Sequence, residues 1–337
     1  MTRFASFTGL VLSLTFSLGL SQTIRPLSTG LFSHSIYYDI ASIGNGLFWA
    51  AGENGLLKEI DSEGNARRIA FPEGEVNLLK IVPTADAIFI GGDQGMIFRY
   101  DRRSETFERS YFGKSFAKRC FYDMMLMDDG TLLVAGGNQK IAKAGKTLPK
   151  GFIAKVDPSL QYSPDVVWES TVHFVWSLER PGDESVEYIA AAYSGIQTVI
   201  LSSINGATTW QRKSHIGALV HHLHWDGKEM YYSGVKNPLF ASNGQVGKLN
   251  GDKIELADEG CVWSLLELNG KLHALTFDGS IAELEPVSAT INKHYRPTTS
   301  SLYEAVAIDE QRALIVGHGQ QLFLMDLSAS AESEVSR

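Results

Sequence analysis

The chain has 337 residues, of which 44% are hydrophobic and 20% charged. That apolar supply excludes an intrinsically disordered protein, and a formal charge of −8 excludes a general electrostatic affinity for nucleic acid. Length alone would allow two ordinary domains.

Residues 1–21 read as a signal peptide. Arg3 supplies a short positive start, Phe7 to Leu20 is an apolar run broken by Ser, Thr and Gly, and small residues Gly19 and Ser21 precede a cleavage site before Gln22. The run is too short and too polar for a membrane span, which needs roughly 20 apolar residues. No later stretch could span a bilayer. The expected mature chain is therefore exported, periplasmic or secreted, without stable membrane insertion.

From residue 34 the chain repeats itself at a stride of about 40–45 residues, with several short apolar stretches and turns per copy. The clearest junctions are Ala51-Gly52-Glu53-Asn54-Gly55 before LLKEID, Gly91-Gly92-Asp93-Gln94-Gly95 before MIFRYD, and Asp278-Gly279 before SIAELE. Fainter ones fall at Gly136-Gly137, Ala192 to Gly195, Ser233-Gly234 and Gly317 to Gly319. Seven copies run over 34–74, 75–117, 118–170, 171–215, 216–260, 261–300 and 301–327. In the first, strands are expected near 36–42, 47–52, 56–61 and 66–71.

This pattern predicts an all-β protein, a seven-bladed β-propeller of four-stranded antiparallel blades. It occupies residues 22–327 as one domain, because a propeller closes all its blades into a single body. Copy seven supplies only three strands, and the polar tail 328–337 (ASAESEVSR after Ser328) is expected to be disordered. The segment 22–31, QTIRPLSTGL, belongs to no copy, so it is expected to cross over and complete blade seven. Pro26 is tolerable there because an outermost strand has one unpaired side. Cys120 and Cys261 open copies three and six at matching places, three blades apart. They are expected to be buried free thiols, since a disulfide needs Cα atoms about 4.4–6.8 Å apart.

Stacking the innermost strands by repeat gives IYYDIAS, VNLLKIV, CFYDMML, HFVWSLE, ALVHHLH, CVWSLLE and SLYEAVA. The fourth column holds Asp39, Leu79, Asp123, Trp176, His221, Ser264 and Glu304. Asp39, Asp123, His221 and Glu304 would converge on the central channel as a ligand site, or as oxygen ligands for a divalent cation, or as acid/base groups. Against this stands a plain wet channel. A one-residue slip in the stacking would turn each side chain to the other face. His222 and His224 share a strand face at a spacing that can chelate zinc, but no third ligand is apparent, so no metal is assigned.

Charge is unevenly spread. Twelve lysines and arginines stand against six acids in residues 99–155, which leaves the remainder strongly acidic. Lys140, Lys143, Lys146 and Lys150 lie in an insertion between the second and third strands of copy three, and Lys114, Lys118 and Arg119 in the link into that copy. Both connections emerge on one face of a propeller, so these residues form a candidate basic patch for an acidic protein or other anionic ligand. The connection 234–247 joins the same rim and carries an apolar spot at Pro238, Leu239 and Phe240.

The junctions followed by strands ending in Asp resemble WD40-type repeats, without the Gly-His and Trp-Asp pairs of that family. Ser203-Ile204-Asn205-Gly206-Ala207-Thr208-Thr209-Trp210 resembles the Asp-box hairpin of sialidase-type and photosystem-assembly-type propellers, with Asn for Asp and Ala for Gly. The resemblance implies a propeller and a hairpin stabiliser, and no particular activity. No nucleophile elbow, phosphate-binding glycine loop or metalloprotease helix is found. The expected function is a monomeric exported module that docks a protein or anionic partner through one face. The alternative is a metal-dependent hydrolase or lyase at the channel mouth, with a divalent cation as cofactor.

Overall fold

A computed structural model describes residues 23–28, 35–138, 151–182, 187–195, 197–237, 242–285 and 290–328. It contains seven sheets, each of four antiparallel strands, in the order of the seven sequence copies. In blade one the strands are Tyr37–Gly44, Leu47–Gly52, Leu57–Asp61 and Ala66–Arg68, running from the channel outward. Composition follows that radial order. The second strand, LFWAAG, is buried almost throughout, whereas the outermost, ARR, is fully exposed. An inner strand is covered by neighbouring blades on both faces and needs apolar or small side chains on both. An outer strand meets water and carries charge.

Each apolar cluster belongs to two neighbouring blades. Leu266, Leu275 and Ile281 of blade six pack on Leu302, Ile315 and Phe323 of blade seven. Tyr37 and Phe48 of blade one pack on Leu314 and Leu324 of blade seven. The hydrophobic gain therefore lies between blades, and no blade can bury its faces alone.

The ring is closed by the chain's two ends. Thr23–Ser28 pairs antiparallel with Leu322–Asp326, with Thr23 opposite Asp326 and Ser28 opposite Leu322. Pro26 sits on this outermost strand, where the register shifts between Pro26 and Ser28. Ile24 packs on the blade six–seven cluster, so the crossing strand contributes packing as well as ladder bonds.

The small residues that end the second strands have a steric cause. A Cβ on Gly136 would overlap the carbonyl oxygen of Cys120, and one on Gly234 that of Leu219. At both places the innermost strand crosses so close that only hydrogen fits. Cys120 and Cys261 are buried and free, and burial pushes each thiol up to about 12. Among the described residues no helix is long and apolar enough to cross a membrane.

Candidate functional site at the channel mouth

Every innermost strand carries a β-bulge at the same place. The register with the second strand jumps at Tyr38, Leu79, Tyr122, Trp176, His221, Trp263 and Tyr303 in blades one to seven. A bulge inserts one unpaired residue and re-aims its side chain. Here it creates two stacked rings: the bulge residues, and those that follow them, Asp39, Lys80, Asp123, Ser177, His222, Ser264 and Glu304.

The fourth column of the sequence stacking therefore mixes two rings, and is corrected as follows. Asp39, Asp123, Ser264 and Glu304 belong to the lower ring. Leu79, Trp176 and His221 belong to the upper one, and their places below are taken by Lys80, Ser177 and His222. The signal that fixes the alignment is a tripeptide of apolar, bulge and polar residue: Tyr37-Tyr38-Asp39, Phe121-Tyr122-Asp123, Val262-Trp263-Ser264 and their equivalents. Periodicity alone could not show it.

The lower ring ties the blades together. A bulge frees the backbone N–H just beyond it, and the side chain of the preceding blade accepts that bond. Ile81 N–H donates to Asp39 Oδ2 at 2.6 Å, Leu178 N–H to Asp123 Oδ2 at 2.7 Å, Leu223 N–H to Ser177 Oγ at 3.1 Å, and Leu265 N–H to His222 Nδ1 at 3.2 Å. Lys80 has no acceptor to offer blade three, so Met124 N–H turns to its own Asp123 Oδ1 at 2.9 Å. Ser264 donates its hydroxyl to Glu304 Oε1, which also accepts Ala305 N–H.

Lys80 is the residue the sequence reading missed. Its Nζ lies 3.6 Å from Asp39 Oδ1 and 3.6 Å from Asp123 Oδ1, so its ammonium sits between the two aspartates proposed to hold a cation. Burial pulls the Lys80 pKa down, but Asp39, Asp123, Glu304 and Glu179 more than offset this and leave it raised and charged. Burial raises Asp123, against the pull of Lys80, and lifts Glu304 and Glu179 to about 7. Burial also holds His222 well below the usual imidazole range and lowers His221 to about 3, so both are neutral. His222 and His224 stand side by side with ring centroids 6.2 Å apart. Among the described residues no group of three or more His, Cys, Asp or Glu side chains is arranged to hold a metal ion.

Above this layer the bulge residues form an aromatic collar. Successive rings are 4.6 Å apart at Tyr122–Trp176, 5.4 Å at Trp176–His221, 4.1 Å at His221–Trp263, 5.2 Å at Trp263–Tyr303 and 6.2 Å at Tyr303–Tyr38. Leu79 interrupts the circle. The collar encloses a cavity of about 310 Å³, with Asp39, Lys80, Asp93, Asp123 and Glu304 also in its wall. Asn77 precedes the innermost strand of blade two and Asp93 follows its antiparallel second strand, so the cavity lies toward the face that carries the blade-to-blade links. Trp176 Nε1, Trp263 Nε1 and His221 Nδ1 are buried with no hydrogen-bond partner.

The basic patch is placed only in part. Lys114 and Lys118 are exposed on the link into blade three. Arg119 is buried, stacked over Phe116 and Phe152 and paired with Glu169 at 2.5 Å, so its charge is spent inside the blade. Lys140, Lys143, Lys146 and Lys150, and the apolar spot Pro238 to Phe240, lie outside the described residues. The Asp-box-like turn sits between the third and fourth strands of blade four. Asn205 Oδ1 accepts both Ser203 Oγ–H at 2.9 Å and Thr209 N–H at 3.1 Å there, and Ala207 holds a φ of 58° in the place of the motif's glycine.

Comparison with solved structures agrees with this geometry. The propeller domain of Doa1 superposes with a TM-score of 0.64 at 10% identity, over 92% of this chain and 99% of that one. YCF48 from Cyanidioschyzon merolae gives 0.65 at 13% identity, over 90% and 98%. A second YCF48 structure, bound to a D1 peptide, gives 0.64 at 12%, over 90% and 94%. The fold is that of a seven-bladed β-propeller. Identities this low establish the architecture of the propeller alone. No protein-family profile and no curated protein matches the chain.

Proposed function

We propose that this propeller is a binding scaffold that docks a protein partner on the face where the aromatic cavity lies. The observation that carries the reading is the sevenfold bulge, which turns a ring of aromatic side chains into a concave cavity at the channel mouth. Concave sites lined by aromatic residues with a few polar groups are the usual form of binding pockets. That a YCF48 propeller has been seen bound to a D1 peptide is a precedent on the same architecture. Lys114 and Lys118 are exposed on the same face and favour an acidic surface on the partner.

The leader-like sequence of residues 1–21 supports export as the setting for this docking. The hydrolase alternative has less to stand on. Asp39 and Asp123 are committed to backbone N–H groups and to Lys80, and His221 stands in the other ring.

Affinity capture from native envelope and secreted fractions tests the proposal. The unaltered protein is run beside a variant reversed to glutamate at Lys114, Lys118, Lys140, Lys143, Lys146 and Lys150. A stoichiometric partner held only by the unaltered protein, at equal melting temperature, is the expected result. A partner retained equally by both would remove the basic rim from the reading, and capture of none would count against the scaffold role.

A further inference from the structure

We propose that the collar receives an arginine side chain from the docked polypeptide, its guanidinium lying among the aromatic faces and facing the carboxylates below. This names the chemistry of the partner and rests on the docking reading above.

Charge argues first for a cation. Asp39, Asp93, Asp123 and Glu304 are set against the single ammonium of Lys80 in the cavity wall, a formal balance of −3 with Glu304 ionised and −2 with it protonated. Most of those carboxylates are engaged, but both hydrogen bonds to Glu304 fall on Oε1, which leaves Oε2 for an incoming donor. The wall argues for the same class. Tyr38, Tyr122, Trp176, Trp263 and Tyr303 present aromatic rings, and a cation within about 6 Å of such a ring is attracted by its quadrupole. His221, neutral by burial, adds a polarisable ring and no repulsion.

Two observations favour arginine on a polypeptide over a free organic cation. Among the described residues, Trp176 Nε1 and Trp263 Nε1 are buried donors without acceptors. A peptide brings backbone carbonyls that can accept from an indole N–H, whereas an ammonium ion brings none. Guanidinium is also planar, weakly hydrated and able to stack on aromatic rings while forking toward a carboxylate, which an ammonium cannot do.

The test titrates the mature protein with the capped peptide acetyl-Gly-Arg-Gly-amide, the same peptide with neutral citrulline in place of arginine, and tetramethylammonium. Binding is read by ligand-observed NMR and tryptophan fluorescence. The arginine peptide should saturate and bind at least about tenfold tighter than either competitor, a gap of about 1.4 kcal/mol. Trp263→Leu and Glu304→Gln should each weaken it at least about fivefold with folding retained. If Trp263→Leu does not fold, Glu304→Gln and the citrulline comparison decide. Equal binding of arginine and citrulline, tetramethylammonium binding as tightly as arginine, or no saturable binding at all would overturn the inference. Loss of arginine selectivity while the partner is still captured overturns this inference alone. Arginine selectivity with no partner captured overturns the docking reading instead.

Discussion

At position 80 the chain places a lysine where the other blades place an acid, an alcohol or an imidazole, and the electrostatics of the channel follow from that choice. Asp39 and Asp123 lie on the neighbouring blades to either side, and each is within 3.6 Å of the ammonium. Lys80→Met should therefore leave two buried carboxylates uncompensated and lower stability by up to about 3 kcal/mol at neutral pH. Chemical denaturation should show the loss shrinking as pH falls and Asp123, whose pKa burial raises, takes up a proton. An unchanged midpoint would mean that the cavity is wet enough to solvate both. Titration gives a second residue-scale prediction. Glu179 and Glu304 have folded pKa values raised to about 7 from 4.5, so they bind protons more tightly folded than unfolded. Their contribution is fully present below about pH 4.5 and is lost as pH rises through about 7. The buried histidines His221, His222 and His224 act in the opposite sense, because their depressed pKa values favour the fold above 6.5 and cost stability in acid. A Glu179→Gln/Glu304→Gln double variant separates the two effects. Its melting temperature should match the unaltered protein near pH 4, exceed it increasingly up to about pH 7 and keep that lead above. A constant difference across that range would contradict the assignment.

At the scale of the element, the strands were legible because their signals are local. Short apolar stretches, turn residues and the radial gradient from LFWAAG to ARR can all be read within one copy. The free thiols and the crossover strand followed from repeat bookkeeping, which needs only the order of the copies. The bulge was not legible. It adds one residue without changing the apolar character of the strand, and so a stack built on repeat spacing is off by one in copies two, four and five. The crossover strand carries its own prediction. Removing 22–31 deletes Thr23–Ser28 and exposes the ladder edge of Leu322–Asp326, so the truncated protein should be recovered in the insoluble fraction. Removing 329–337 should leave yield and melting temperature nearly unchanged. A soluble, cooperatively melting 22–31 deletion would show that blade seven does not need this strand.

For the whole molecule, closure is what makes seven marginal sheets into one protein, since every apolar cluster is shared between neighbours. The expected cleavage before Gln22 would keep all of Thr23–Ser28, the described part of the strand that completes blade seven. N-terminal sequencing of the protein recovered from the exported fraction should read from Gln22. A start inside 24–28 would remove part of the closing strand and contradict this arrangement. The sequence by itself determined the number of blades, their order, the crossover closure and the buried free cysteines, because repetition and local apolar pattern encode all of these. Only the tertiary structure decided the two rings, the place of Lys80 between Asp39 and Asp123, and the aromatic collar over them. Those contacts join residues about forty positions apart across separate blades, and they depend on a one-residue bulge whose direction no local pattern records.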